Sequence, residues 1–183
     1  MKAEILISGF GGQGLMSLGK ILAKAAALEN KYSVWFPSYG AEMRGGTAYC
    51  FVKISSSPIH SPFIVHPDIA VILNQPSLDK FKEQLKKQSL LILNADLIDN
   101  HSFIGAGIKK INLPLNKMAL ECGSIKAVNT VALGVLISLQ KSLIRESTVI
   151  KILEETFNTK ESLGLNLRAL SCGKQAACGY KKM

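Results

Sequence analysis

Six residues near the start of the chain constrain its fold more than any others: Gly9-Phe10-Gly11-Gly12-Gln13-Gly14 has the spacing G-x-G-x-x-G. Ahead of it, Glu4-Ile5-Leu6-Ile7-Ser8 is a short apolar run. Behind it, Leu15, Leu18, Ile21, Leu22, Ala25 and Ala26 recur at helical spacing. The pattern is strand, tight turn and helix, the setting in which this glycine spacing carries chemical meaning. Gly9 permits the turn, Gly11 lets a ligand or another backbone approach, and Gly14 lets the helix pack close to the strand. Backbone N–H groups opening a helix form an anion site. Gly9, Gly11, Gly12, Gln13 and Gly14 are therefore the candidate cofactor-binding residues. A second reading makes the same glycines purely structural, holding the loop against a neighbouring chain.

A nicotinamide reading has a specific defect. A classical dinucleotide fold places Asp or Glu at the end of the second strand to bind the ribose hydroxyls. Here that strand runs Val34-Trp35-Phe36-Pro37-Ser38, with no acid, and Glu29 comes too early. The strand leads instead into a second glycine-rich stretch, Ser38-Tyr39-Gly40-Ala41-Glu42-Met43-Arg44-Gly45-Gly46. As a plain surface turn its Glu42/Arg44 pair is worth under about 1 kcal/mol. An aromatic residue and a charge pair on a glycine-rich loop after a strand are better explained by display to a partner or ligand. Tyr39, Glu42, Arg44, Gly45 and Gly46 are accordingly candidate interface residues.

Further along, Thr47 to Ile54 reads as a third strand, Asp68 to Leu73 as a buried strand, and Leu90 to Leu93 as another. Pro76 opens a helix expected to run to about Lys87, amphipathic over Lys80 to Lys87. Ile104 to Ile111 is a further strand candidate, and Pro114 opens a short helix through Glu121. From about Asn129 the chain reads as helical: to Lys141, from Glu146 to Phe157, and again from Lys160. Strands alternating with helices over the first 110 residues predict an α/β domain with a mostly parallel sheet and a helical C-terminal part. Neither an internal repeat nor a linker interrupts 1–183, so one domain is expected.

Composition closes several doors. The chain has 183 residues, 48% of them hydrophobic and 19% charged, enough to bury a core and too apolar for disorder. No apolar run approaches the roughly 18 residues that span a bilayer, and the start of the chain lacks the features of a secretory signal, so a cytoplasmic protein without a membrane partner is expected. The net charge is +9, yet arginine occurs only at 44, 145 and 168 and the lysines are dispersed. This favours a solvated basic surface, or one meeting acidic partners, over nucleic acid. Cys50, Cys122, Cys172 and Cys178 form no C-x-x-C and read as reduced core thiols. His60, His66 and His101 show no metal spacing, and no nucleophile elbow or P-loop is present. The chain carries no catalytic or metal-binding set of its own, which points to a subunit of something larger.

With these residues in view, the sequence resembles the gamma subunit of 2-oxoacid:ferredoxin oxidoreductases, the family acting on pyruvate, 2-oxoisovalerate and 2-oxoglutarate. The marks are Gly9 to Gly14 followed by Gly19-Lys-Ile-Leu-Ala23, Ser38 to Gly46, Asp68 with Asn74-Gln75, and Asn129-Thr-Val-Ala-Leu-Gly134. The resemblance implies a three-layer α/β/α, Rossmann-like fold. It implies a complex that converts a 2-oxoacid and coenzyme A to acyl-coenzyme A and carbon dioxide while reducing ferredoxin. Thiamine diphosphate and iron-sulfur clusters would sit on the alpha, beta and ferredoxin-like delta subunits, with no cofactor held by this chain alone. The two glycine loops and Asn129 would lie at a subunit or coenzyme A interface. The alternative is a free-standing Rossmann-type nucleotide-binding protein, and a nucleic-acid-binding domain is a weaker third.

Overall fold

Residue by residue, the first strand already shows how the sheet is loaded. In β1 (Lys2–Gly9), Ala3, Ile5 and Ile7 point to one face and Leu6 to the other, and all are buried. The computed structural model describes residues 1–38, 47–99 and 107–180. Over these the chain runs β1, α1 (Leu15–Leu28), β2 (Tyr32–Ser38), β3 (Ala48–Ser55), β4 (Ile69–Ile72), α2 (Gln75–Phe81), β5 (Leu90–Asn94), β6 (Lys109–Leu113), α3 (Leu115–Glu121), α4 (Val128–Leu139), α5 (Glu146–Thr156) and α6 (Lys160–Tyr180). The strands form one sheet in the order β2-β3-β1-β4-β5-β6.

Five strands share a direction and β3 alone is reversed, pairing antiparallel with both β1 and β2, while β1-β4-β5-β6 are parallel. The expected three-layer α/β architecture is therefore present, with a mixed edge. The inner strands β4 and β5 are buried on both faces, which is why they read as unbroken apolar runs. One face carries α1 and α3 to α6, with Ile5, Ile7, Val71 and Ile92 packed under Leu18, Leu22, Val131 and Leu153. The opposite face is thinner: Leu6, Phe51, Ile72 and Leu93 are covered by Leu78 and Phe81 of α2 and by Ile64.

β2 runs through Pro37 to Ser38 as the sequence suggests, because it is an edge strand and an edge tolerates a residue without an N–H. Other boundaries differ from expectation for identifiable reasons. The helix expected to reach Lys87 ends at Phe81 and passes into a 3-10 turn over Lys82–Gln84. Leu85 then takes extended geometry, which sends its side chain toward the second core cluster. The strand expected over Ile104 to Ile111 is β6, at Lys109–Leu113, and residues 100–106 lie outside the described residues.

In α4 eleven of twelve residues are buried, the mark of a helix inside the core. It crosses α6 at a pair of glycines: a Cβ on Gly134 would fall on the Leu170 carbonyl oxygen, and one on Gly173 on that of Val131. No helix among the described residues is long and apolar enough to cross a membrane.

Candidate functional site

The reversal of β3 builds one rim. The C-terminal ends of β1 and β2 and the start of β3 lie together, with Gly9 opposite Ala48 and Ser38 opposite Tyr49. Both ends of the second glycine-rich stretch therefore spring from the edge that carries the first. Tyr39, Glu42, Arg44, Gly45 and Gly46 themselves lie outside the described residues. The same topology removes the classical ribose site, because β3 separates β1 from β2. The end of β2 stands about 9–10 Å from β1, two strand spacings instead of one.

Within the first loop the side chain of Gln13 turns inward. Its Oε1 accepts the backbone N–H of Phe10 at 2.7 Å, and the Gln13 N–H donates to the Phe10 carbonyl at 3.3 Å. Gln13 thus fastens the loop. Gly9 leaves room for this fold: a Cβ there would meet the Gln13 carboxamide and come within 3.0 Å of Leu73 Cβ. Gly14 caps α1 in the left-handed region at φ 74° with no side-chain cap, and no acid occupies the first turn. Behind it stands Asn129, 5% exposed, whose Nδ2 donates to the Gly14 carbonyl at 3.3 Å. A Cβ on Gly14 would lie 2.6 Å from that nitrogen. Asn129 therefore braces the loop from within, and its buried Oδ1 has no hydrogen-bond partner. The close helix-to-strand packing expected of Gly14 falls to Gly19, where a Cβ would come within 2.7 Å of Cys50 Sγ and 2.8 Å of Trp35 Nε1.

The loop lines a cleft of about 260 Å³ together with the first turn of α1, among them Phe10, Gly11, Gly12, Leu15, Ser17 and Ala48. Gly12, at φ 90°, has open space where a Cβ would be, and Phe10 is 38% exposed above it. A second hollow of about 230 Å³ shares Ser17 and is lined by Lys20 and Lys24. The uncapped N–H groups of α1 and these two lysines give the area a positive character. Of Ser17, Lys20 and Lys24, only Lys20 falls in a stretch marked in the sequence, Gly19 to Ala23. Their i, i+3, i+7 spacing from the helix start is the signal that places them on one face.

Other sequence-marked residues do different work. Asp68 sits at the far end of the sheet, accepting the Glu4 backbone N–H at 2.9 Å and Lys86 Nζ at 2.6 Å. Asn74 caps α2 by accepting the Ser77 N–H at 2.9 Å, and Asp96 accepts the N–H groups of Asn116 and Lys117. His66 Nδ1 is 3.1 Å from the Gln84 carbonyl, and His101 lies outside the described residues. Cys50 is buried, and burial pushes its thiol up to about 12. Cys178, by contrast, is exposed, so the cysteines are not uniformly core thiols. Among the described residues no three His, Cys, Asp or Glu side chains gather as metal ligands. A larger hollow, about 490 Å³, lies at the opposite end of β1 and β3, between Lys2, Lys53 and His60, away from the glycine rim.

Comparison with known proteins gives a consistent result. The profile of a family described as pyruvate ferredoxin/flavodoxin oxidoreductase matches residues 4–176. The ketoisovalerate oxidoreductase subunit VorA of Methanothermobacter thermautotrophicus is 37% identical over 96% of this chain and 36% of its own length. The chain thus spans about a third of that relative. The 2-oxoglutarate synthase subunit KorC of Methanocaldococcus jannaschii is 37% identical over 97% of this chain and 95% of its own. Among solved structures, the gamma subunit of a keto/oxoacid ferredoxin oxidoreductase from Geobacter sulfurreducens superposes with a TM-score of 0.83 at 28% identity, covering 97% and 99% of the two chains. A 2-oxoglutarate:ferredoxin oxidoreductase from Magnetococcus marinus, with 2-oxoglutarate, coenzyme A and succinyl-CoA bound, gives 0.90 at 27% identity over 97% of this chain and 31% of that one.

Proposed function

From the premise that the chain belongs to the pyruvate ferredoxin/flavodoxin oxidoreductase family, we propose that it is the gamma-type subunit of a 2-oxoacid:ferredoxin oxidoreductase complex. The observation that carries this reading is the end-to-end match with KorC and with the Geobacter gamma subunit, each covered over 95% or more of its own length. In longer relatives such as VorA the same stretch is one segment of a larger chain. The reaction of the complex is the oxidative decarboxylation of a 2-oxoacid in the cytoplasm, with coenzyme A taking the acyl group and ferredoxin the electrons. Thiamine diphosphate and the iron-sulfur clusters belong to the alpha, beta and delta subunits in this reading.

The part played by this chain is to complete the coenzyme A site and the subunit interface with its glycine rim. The uncapped start of α1, the cleft under Phe10 and the adjoining Lys20 and Lys24 support a phosphate-bearing ligand there. Arg44, Glu42 and Tyr39, on the stretch rooted opposite Gly9, contact the neighbouring subunit. A free-standing dinucleotide-binding role is disfavoured by β3, which displaces the second strand from the ribose position.

The test is anaerobic affinity purification of the tagged chain from its host, with mass spectrometry and an assay of 2-oxoacid-dependent viologen reduction. Recovery with thiamine- and cluster-bearing subunits and coenzyme A-dependent turnover is expected; a chain recovered alone that binds a nucleotide overturns the assignment. In the recovered complex, Arg44→Ala should lower the yield of associated subunits. Lys20→Ala should raise the KM for coenzyme A about three- to tenfold at unchanged kcat. An unchanged KM removes the coenzyme A role while leaving the subunit role standing.

A further inference from the structure

Outside the glycine rim, two of the four cysteines stand side by side. Cys122 closes α3, and Cys172 lies on α6 fifty positions later. The Cys122 carbonyl accepts Arg168 Nε at 3.4 Å. A Cβ on the next residue, Gly123, would come within 3.5 Å of Leu165 Cδ1 and 3.8 Å of the Arg168 guanidinium. The end of α3 therefore rests on the face of α6 that carries Leu165, Arg168 and, one turn beyond Arg168, Cys172. There the two side chains are neighbours, both packed against the same helical core. Both are half-buried against the helical core, free, and accessible from solvent at their margins.

We infer that Cys122 and Cys172 are a modification site: a reversible disulfide that staples α3 to α6 when a small disulfide oxidant such as oxidised glutathione is present. The inference does not depend on the subunit assignment. In the first step the Cys122 thiolate attacks one glutathione sulfur, forming a mixed disulfide and releasing one glutathione thiolate. In the second, the Cys172 thiolate attacks the Cys122 sulfur, forming the internal disulfide and releasing the second glutathione. The protein thiols lose two protons and two electrons, and one oxidised glutathione becomes two reduced ones. Burial, followed by the neighbouring Cys122 and Glu121, pushes the Cys172 thiol up to about 11, so Cys172 suits the resolving role and the second step quickens as pH rises toward that value. Cys50 is buried, and Cys178 faces solvent beside Ser138, away from the pair.

The experiment is oxidation of the full chain with oxidised glutathione, followed by non-reducing tryptic mapping. Cys122 falls in the peptide 118–126, Cys172 in 169–174 and Cys178 in 175–181, so the linkage is read directly. The expected product is 118–126 joined to 169–174, with a loss of about 2 Da from the intact chain and reversal by dithiothreitol. In Cys172→Ser the glutathione adduct on Cys122 should persist, because nothing resolves it. The linked chain should melt about 5–10 °C higher than the reduced one. Stable glutathione adducts on both Cys122 and Cys172 of the unaltered chain, or a linked peptide involving Cys178 instead, would overturn the proposal.

Discussion

Glu29 shows how a single carboxylate can hold two helices. It caps the C-terminus of α1, where the helix field disfavours a negative charge. Its Oε1 nevertheless accepts the Arg145 backbone N–H at 2.8 Å, and its Oε2 meets Lys31 Nζ at 2.9 Å. Burial by itself would raise the acid, but Lys31, the Arg145 backbone, Thr148 and the Arg145 side chain outweigh it and hold Glu29 down to about 2, against an ordinary 4.5. A carboxylate depressed in the folded state contributes stability that is complete above about pH 4.5 and is lost as pH falls through about 2. Glu29→Gln should therefore cost about 2 kcal/mol at pH 7. Urea titrations at stepped pH should show the gap between the two proteins closing between pH 4.5 and 2. A gap that persists at pH 2 would mean that the loss comes from packing and not from charge.

At the scale of elements, the crossing of α4 and α6 is the most exacting contact in the helical layer. The backbones meet at Gly134 and Gly173: the Leu170 carbonyl of α6 fills the space that a side chain on Gly134 would need, and the Val131 carbonyl of α4 fills that of Gly173. Gly134→Ala and Gly173→Ala should each cost about 3 kcal/mol, a fall in Tm of about 6–12 °C by calorimetry, although alanine is the better helix former. A neutral or stabilising effect would show that the helices can part without loss. The sequence made α4 and the buried strands legible through their apolar runs, because burial on every side demands apolar residues, and it made α1 legible through the helical spacing of its one buried face. It concealed the direction of β3. Thr47 to Ile54 is β-branched and aromatic whichever way the strand runs, so direction is set by its partners, β1 and β2. The end of α2 was concealed for a similar reason, since Leu85 reaches the core by an extended step and not by another helical turn. At the site, the glycine spacing announced the turn and the helix start. The bracing of Gly14 by Asn129 spans 115 positions, and no local pattern encodes a contact of that reach.

For the whole molecule, a sheet covered by five helices on one face and mainly by α2 on the other is an asymmetric body. The first glycine loop and both roots of the second lie at one end, where β1, β2 and β3 converge. The two lateral margins of the sheet differ just as much. The β6 margin exposes Lys109 and Lys110, charges that discourage another strand from adding on. The β2 margin runs Tyr32-Ser33-Val34-Trp35-Phe36 before Pro37 interrupts it, with Tyr32 51% exposed, and no described strand pairs along its outer side. Its unpaired N–H and C=O groups are a template for intermolecular strand addition. The purified chain should accordingly grow turbid or form larger species with concentration, and Val34→Lys should slow that growth in light scattering without changing the fold by circular dichroism. Equal scattering from the two proteins would exonerate this margin. A chain so built carries an aggregation hazard along one border, held in check at its end by a single proline.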